Sequence, residues 1–253
     1  MPRQFSVPMT KAHGFGSLPE FVRQRESERA LAQAFSAGNL PLAVIDRPDF
    51  YVPVAAMMRV FESAARSVGD RAFGLNVGAE MGHAGFGLWM QYSASAATLG
   101  QGLHRTVATA RFHQSGGHLA LDRQGDFTIW RYYPPALDAP HIQHSDHILC
   151  PMLRFLGTYL GADWRPAWIE LNYPRDAECE TIEALLPAQI RFGQSSIGVA
   201  IPTSCLAHSS PAQTRPLLTL LDVEASEGLP DIAEPFRSFC HRNPAVAGWA
   251  NRH

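Results

Sequence analysis

The spacing of apolar residues changes at Gly116-Gly117, and that change limits the chain to folds in which a helical block precedes a sheet. Upstream, apolar side chains recur every three or four residues. Downstream, residues 118–122 and 126–132 alternate on either side of Arg123-Gln124-Gly125, which reads as a hairpin. Later segments mix both periods: a helix from about 140 to 161 with Pro151 inside it, a strand at 167–173, a short helix at 177–186, strands at 188–192 and 197–201, and a last helix at 211–225. The fold class is α+β: a helical N-terminal half packed with an antiparallel sheet and flanking helices.

The helical half is punctuated in detail. Residues 1–16 show little periodicity and read as a flexible lead-in. Ser17 and Glu20 fit a capping box, Phe21, Ala30, Leu31, Ala34 and Phe35 share one face, and Gly38 is expected to end that helix in a left-handed conformation. Residues 40–45 read as an extended link. Pro53 opens the next helix, carried by Val54, Met57, Met58, Phe61, Ala64 and Ala65 and stopped at Gly69-Asp70. One further short turn is expected over 73–77. Gly78, Gly82, Gly85 and Gly87 then form an elbow, and a helix runs from about Thr98 to Gln114. Beyond Gly228, Pro230, Pro235 and Pro244 argue for an irregular tail.

Charge and cysteine usage narrow the function classes. The 253 residues carry a net charge of −2, and Lys11 is the one lysine. Proteins that neutralise phosphates themselves are usually basic or bear a basic stripe, so direct nucleic-acid contact is not expected. No run reaches the roughly 18 apolar residues of a membrane helix, and no apolar leader is visible. Cys150, Cys179, Cys205 and Cys240 never form CxxC, which fits reduced thiols and a cytoplasmic location.

Two residue groups stand out for chemistry. Trp89, Tyr92, Phe112, His113, Trp130 and Tyr132 supply the large faces and single polar atoms that line small-molecule pockets. With Arg111 as a partner for a ligand carboxylate, the ligand-binding candidates are Trp89, Tyr92, Arg111, His113 and Trp130. The competing reading is core packing, with Arg111 paired to Glu62 or Asp146. His141, His144 and His147 recur at helical spacing and, with Asp146 or Cys150, could hold a metal ion or haem. Three histidines spread over six residues sweep about a third of a helix, so a polar helix start with exposed or hydrogen-bonded rings is the stronger reading, and no metal or cofactor is expected. Gly85-Phe86-Gly87 lacks the third glycine of a dinucleotide loop, and neither GxSxG nor HExxH occurs, so no enzyme is expected.

The ordered series Asp46, Pro53, Glu62-x-Ala64-Ala65, Gly69-Asp70-x-x-Phe73-Gly74-Leu75-x-x-Gly78, Phe86-Gly87, Ser95, Thr98-Leu99-Gly100, Leu103 and Arg111-Phe112 resembles the N-terminal effector domain of AraC-type transcriptional regulators, in the arabinose-binding-like or ornithine-utilisation-regulator-like branch. Asp146-x-x-Leu149, Leu153-Arg154-Phe155-Leu156-Gly157, Pro174, Phe192-Gly193 and Leu206 continue it. The resemblance implies an effector-binding regulatory domain over 17–227 in a bacterial regulator. It implies a small-molecule effector and homodimer formation. It also implies DNA contact only through helix-turn-helix units. Those need about 100 residues, and the irregular tail at 228–253 does not hold them. The alternatives are a histidine-based metal or haem sensor and an enzyme of unrecognised type.

Overall fold

The computed structural model describes residues 7–81, 87–186, 188–209 and 218–227. Its helical half begins earlier than expected. Strand β1 (Met9–Lys11) pairs antiparallel with β2 (Tyr51–Pro53), and the 3-10 turn Ala12–Phe15 buries Phe15 among Phe35 and Phe61. Residues 9–15 are therefore part of the packed structure, because a strand partner 40 residues downstream rewards an order that local periodicity does not show.

The helix expected through Phe35 is two: α1 (Leu18–Arg25) and α2 (Glu28–Ala37). The break falls at Ser27, whose Oγ accepts from the Ala30 N–H at 3.2 Å and so caps α2. Ser17 makes no such cap; its hydroxyl donates to the Val77 carbonyl. Gly38 is right-handed (φ −83°), and Asn39 takes the left-handed position (φ 55°). Residues 42–46 form a 3-10 turn rather than an extended link. Helix α3 (Val54–Val68) ends on left-handed Gly69, as expected, and α4 (Phe73–Glu80) is a full two turns. Leu31, Phe35, Val60, Phe61 and Phe73 form the core of this half.

After the segment 82–86, which lies outside the described residues and holds Gly82 and Gly85 of the expected elbow (Gly78 is inside α4), come α5 (Leu88–Ala94) and α6 (Leu99–Thr109). Thr98 Oγ1 caps α6 by accepting from the Gln101 N–H at 3.3 Å. The hairpin β3 (His118–Gln124) and β4 (Phe127–Tyr133) turns at Gly125, whose φ of 59° needs glycine. Helix α7 (Ile142–Leu160) follows, then β5 (Ile169–Glu170), α8 (Cys179–Leu185), β6 (Ile190–Arg191), β7 (Ile197–Pro202) and α9 (Leu220–Glu227). Residues 211–217 of the expected last helix and the tail from 228 lie outside the described residues.

The larger sheet has the order β3-β4-β7-β5-β6. It is antiparallel except for the β5–β6 pair, which is parallel. Alternation assigns its faces. Trp130, Tyr132, Ile197, Val199 and Ile201 pack with Leu149, Phe155 and Leu156 of α7. On the other face Arg131 binds Glu170 (2.8 Å) and Asp122 (2.8 Å).

Helix α7 joins the two halves. Its close fit to α4 rests on Gly74 and Gly78, one turn apart. A Cβ on Gly74 would lie 2.1 Å from the Gln143 carbonyl oxygen, and one on Gly78 2.5 Å from that of His147. Gln143 fixes the joint further. Its side-chain oxygen accepts from the Gly74 N–H (2.8 Å), and its own N–H donates to Glu62 (2.8 Å). Beside it, the fully buried carboxylate of Asp146 takes Arg71 Nη1 at 2.8 Å and the Tyr173 hydroxyl at 2.5 Å.

Candidate functional site

The junction of the two halves holds a partly open cavity of ≈ 80 Å³. Four segments build it. Helix α5 brings Trp89 and Met90, and the chain after α6 brings Ala110, His113 and Gln114. The hairpin brings Leu119, Trp130 and Tyr132, and α7 brings Ile148, Pro151 and Met152. Residues 130 and 132 are two apart on β4 and so share its inward face. Residues 148, 151 and 152 share one face of α7. Pro151 has no N–H to donate into the helix, so α7 presents a flat pyrrolidine ring to the cavity without losing a donor to it. His118, exposed and stacked on Tyr133 at 4.8 Å, stands at the edge.

Polar atoms are few and mostly engaged. Gln114 Nε2 donates to the Tyr132 hydroxyl. His113 Nε2 lies 3.4 Å from Thr10 Oγ1, and its ring stacks on Trp89 at 5.5 Å. Burial holds the imidazole well below its ordinary pKa, with His13 and Lys11 adding to the effect, so His113 is neutral. Burial raises the Tyr132 phenol, which stays protonated. Among the described residues no Asp, Glu, Lys or Arg lines the cavity.

Of the five ligand-binding candidates, Trp89, His113 and Trp130 line this one cavity. Tyr92 does not. It is half-buried on the next turn of α5, with the Arg105 guanidinium over its ring at 4.3 Å. Arg111 also points elsewhere. Its side chain is exposed and pairs with Glu224 of α9 at 3.6 Å. The internal partners considered for it are taken by others, Asp146 by Arg71 and Glu62 by the Gln143 N–H. The contributions of Gln114 and of the α7 face were not singled out in the sequence. The helical spacing of Ile148, Pro151 and Met152 was the available signal.

The histidines of α7 do not converge. His141 turns to the carbonyls of Ala139 (3.2 Å) and Asn172 (3.5 Å). His144 and His147 are buried rather than exposed, with rings 5.7 and 4.6 Å from Phe61. Burial lowers His144 to about 3 and His147 to about 4, so both are neutral. His13, 4.9 Å from His113, is lowered to about 4, chiefly by burial. Among the described residues no three His, Cys, Asp or Glu side chains are grouped to hold a metal ion. No described helix is long and apolar enough to cross a membrane.

A wider groove of ≈ 730 Å³ opens beside α3, lined by Arg25, Arg66, Arg71, Glu62, Asp70 and Glu178. Both signs of charge line it and it is open to solvent, so it has neither the enclosure nor the single-sign field that concentrates a ligand.

Residues 28–209 match the family described as the arabinose-binding domain of AraC transcription regulator, N-terminal. A search of curated proteins finds no match. The fold is similar to that in the crystal structure of the transcriptional regulator CdpR from Pseudomonas aeruginosa, with a TM-score of 0.51 and 13% identity. The likeness covers 72% of this chain and 56% of that regulator, so it spans little more than half of CdpR's length, and at this identity it speaks for the fold alone.

Proposed function

Because this chain belongs to the arabinose-binding N-terminal domain family of AraC-type transcription regulators, we propose that it senses a small molecule held in the cavity between α7 and the β3–β4 hairpin. The observation that carries this reading is the position of the cavity. It sits where the helical half, the hairpin and α7 meet, and every residue lining it falls within 28–209. A guest there touches α5, the end of α6, the sheet and α7 at once. It therefore has differential affinity for any two arrangements of these elements and shifts their populations. In the regulator, that shift biases a homodimer and the presentation of helix-turn-helix units to DNA. The role of this chain is binding without turnover. Trp89, His113 and Trp130 are the contacts from the sequence set; Tyr92 and Arg111 act outside the cavity.

Native mass spectrometry of the purified chain tests the reading, since retained guest and oligomeric state are read together. The expected result is a dimer carrying a small-molecule adduct. Ala110→Phe, which projects a ring into the cavity from a half-buried position, and Trp89→Ala should both lose the adduct while circular dichroism shows them folded. Tyr92→Ala should retain it. An adduct that survives in both folded cavity variants would refute this location for the site.

A further inference from the structure

We infer that this cavity takes a small, neutral, mostly apolar molecule with one hydrogen-bond acceptor, such as an aryl or alkyl ketone, rather than a sugar, an amino acid or a carboxylate. The inference rests on the sensing reading above and adds the class of guest.

Three observations carry it. First, the walls are apolar and aromatic: Trp89, Met90, Leu119, Trp130, Ile148 and Met152 surround the space. Second, no Asp, Glu, Lys or Arg among the described residues lines it. A carboxylate or ammonium group would be buried without a counter-charge, which costs far more than its contacts return. The cations next to lining residues in the chain are committed elsewhere: Arg111 to Glu224 at 3.6 Å, and Arg131 to Asp122 and Glu170, each at 2.8 Å. Third, Trp130 is 1% exposed, and its Nε1–H has no acceptor among the described residues. A buried indole N–H usually finds a partner, and a single acceptor in the guest would supply one. A pyranose carries several hydroxyl groups that each need pairing on burial. Of the other polar side chains deep in the cavity, Gln114 is engaged by Tyr132 and His113 by Thr10, while His118 stands at the exposed edge. A sugar such as arabinose therefore does not fit the chemistry of this cavity.

The test is a titration of the full chain with four probes at pH 7.5: acetophenone, ethylbenzene, benzoate and L-arabinose. Binding is followed by tryptophan fluorescence and by the indole N–H resonances in 1H–15N spectra. Acetophenone and ethylbenzene match in size and differ in the acceptor. One hydrogen bond to a neutral donor should make acetophenone bind roughly five- to tenfold tighter. It should move one indole N–H resonance, absent in Trp130→Phe, that ethylbenzene leaves in place. Benzoate and L-arabinose should not compete. Equal affinity for acetophenone and ethylbenzene, or tighter binding of benzoate or L-arabinose that Ala110→Phe abolishes, overturns the class of guest and leaves sensing at this cavity intact. If no probe binds and Ala110→Phe also leaves the native adduct in place, both this inference and the sensing reading fail. The selectivity among probes is read on the unaltered chain, so it decides the matter even if Trp130→Phe does not fold.

Discussion

Lowering the pH from 7.5 to 5 should cost this protein much of its stability, through histidines that the fold keeps neutral. His13 and His147 sit at about 4 and His144 at about 3, each lowered mainly by burial from an unfolded value near 6.5. A histidine depressed in the folded state binds fewer protons there than in the unfolded chain. Stability is therefore fully present above pH 6.5 and falls as the pH drops toward the folded pKa. At pH 5 an unfolded imidazole is almost wholly charged and these three are not, so linkage gives about 2 kcal/mol each, or roughly 6 kcal/mol together. His113, also lowered by burial, adds in the same direction. Asp146 opposes them. Burial holds its carboxyl up at about 6, so the folded state gains protons there first and recovers about 1.4 kcal/mol at pH 5. The net loss of about 5 kcal/mol is comparable with the whole stability of many domains, about 5–15 kcal/mol. For a chain of this size it corresponds to a fall in Tm of about 10–20 °C. Urea and thermal unfolding at pH 7.5, 6 and 5 measure this directly. His147→Phe, which keeps a ring beside Phe61, should reduce the proton uptake on unfolding at pH 5 by about one. A Tm that moves less than about 3 °C across this range would refute the claim that the fold holds these rings uncharged.

Three further outcomes follow from α7 and its joint with α4. Gly74→Ala should destabilise by about 2–3 kcal/mol in urea unfolding: the roughly 1 kcal/mol of helix propensity gained is outweighed by a Cβ placed 2.1 Å from the Gln143 carbonyl oxygen. Gly157→Ala in α7, where nothing lies within 4 Å of the new methyl, should instead stabilise by up to about 1 kcal/mol. Arg71→Met should cost about 3–5 kcal/mol at pH 7.5 by leaving Asp146 buried without its cation, and the loss should shrink at pH 5, where the carboxyl takes a proton.

The sequence by itself determined the elements whose signals are local. The period change at Gly116-Gly117, the stop at Gly69, the helix start near Thr98 and the turn at Gly125 each depend on neighbours within about four residues, and each is where it was expected. The same locality led to the expected single helix through Phe35, because Ser27 caps α2 only once the chain has turned away from α1. It also concealed the strand at Met9–Lys11, whose partner is β2. Aromatic composition marked Trp89, His113 and Trp130, but could not separate them from Tyr92 or Arg111. Which of these face a shared space depends on how α5, the end of α6, the hairpin and α7 come together across 60 residues of chain. That packing is fixed by Gly74 and Gly78 admitting α7 at backbone distance. It is fixed also by the Arg71–Asp146–Tyr173 cluster beside that contact. Only the tertiary structure decided that His144 and His147 turn inward against Phe61, since helical spacing sets which residues share a face but not what that face meets.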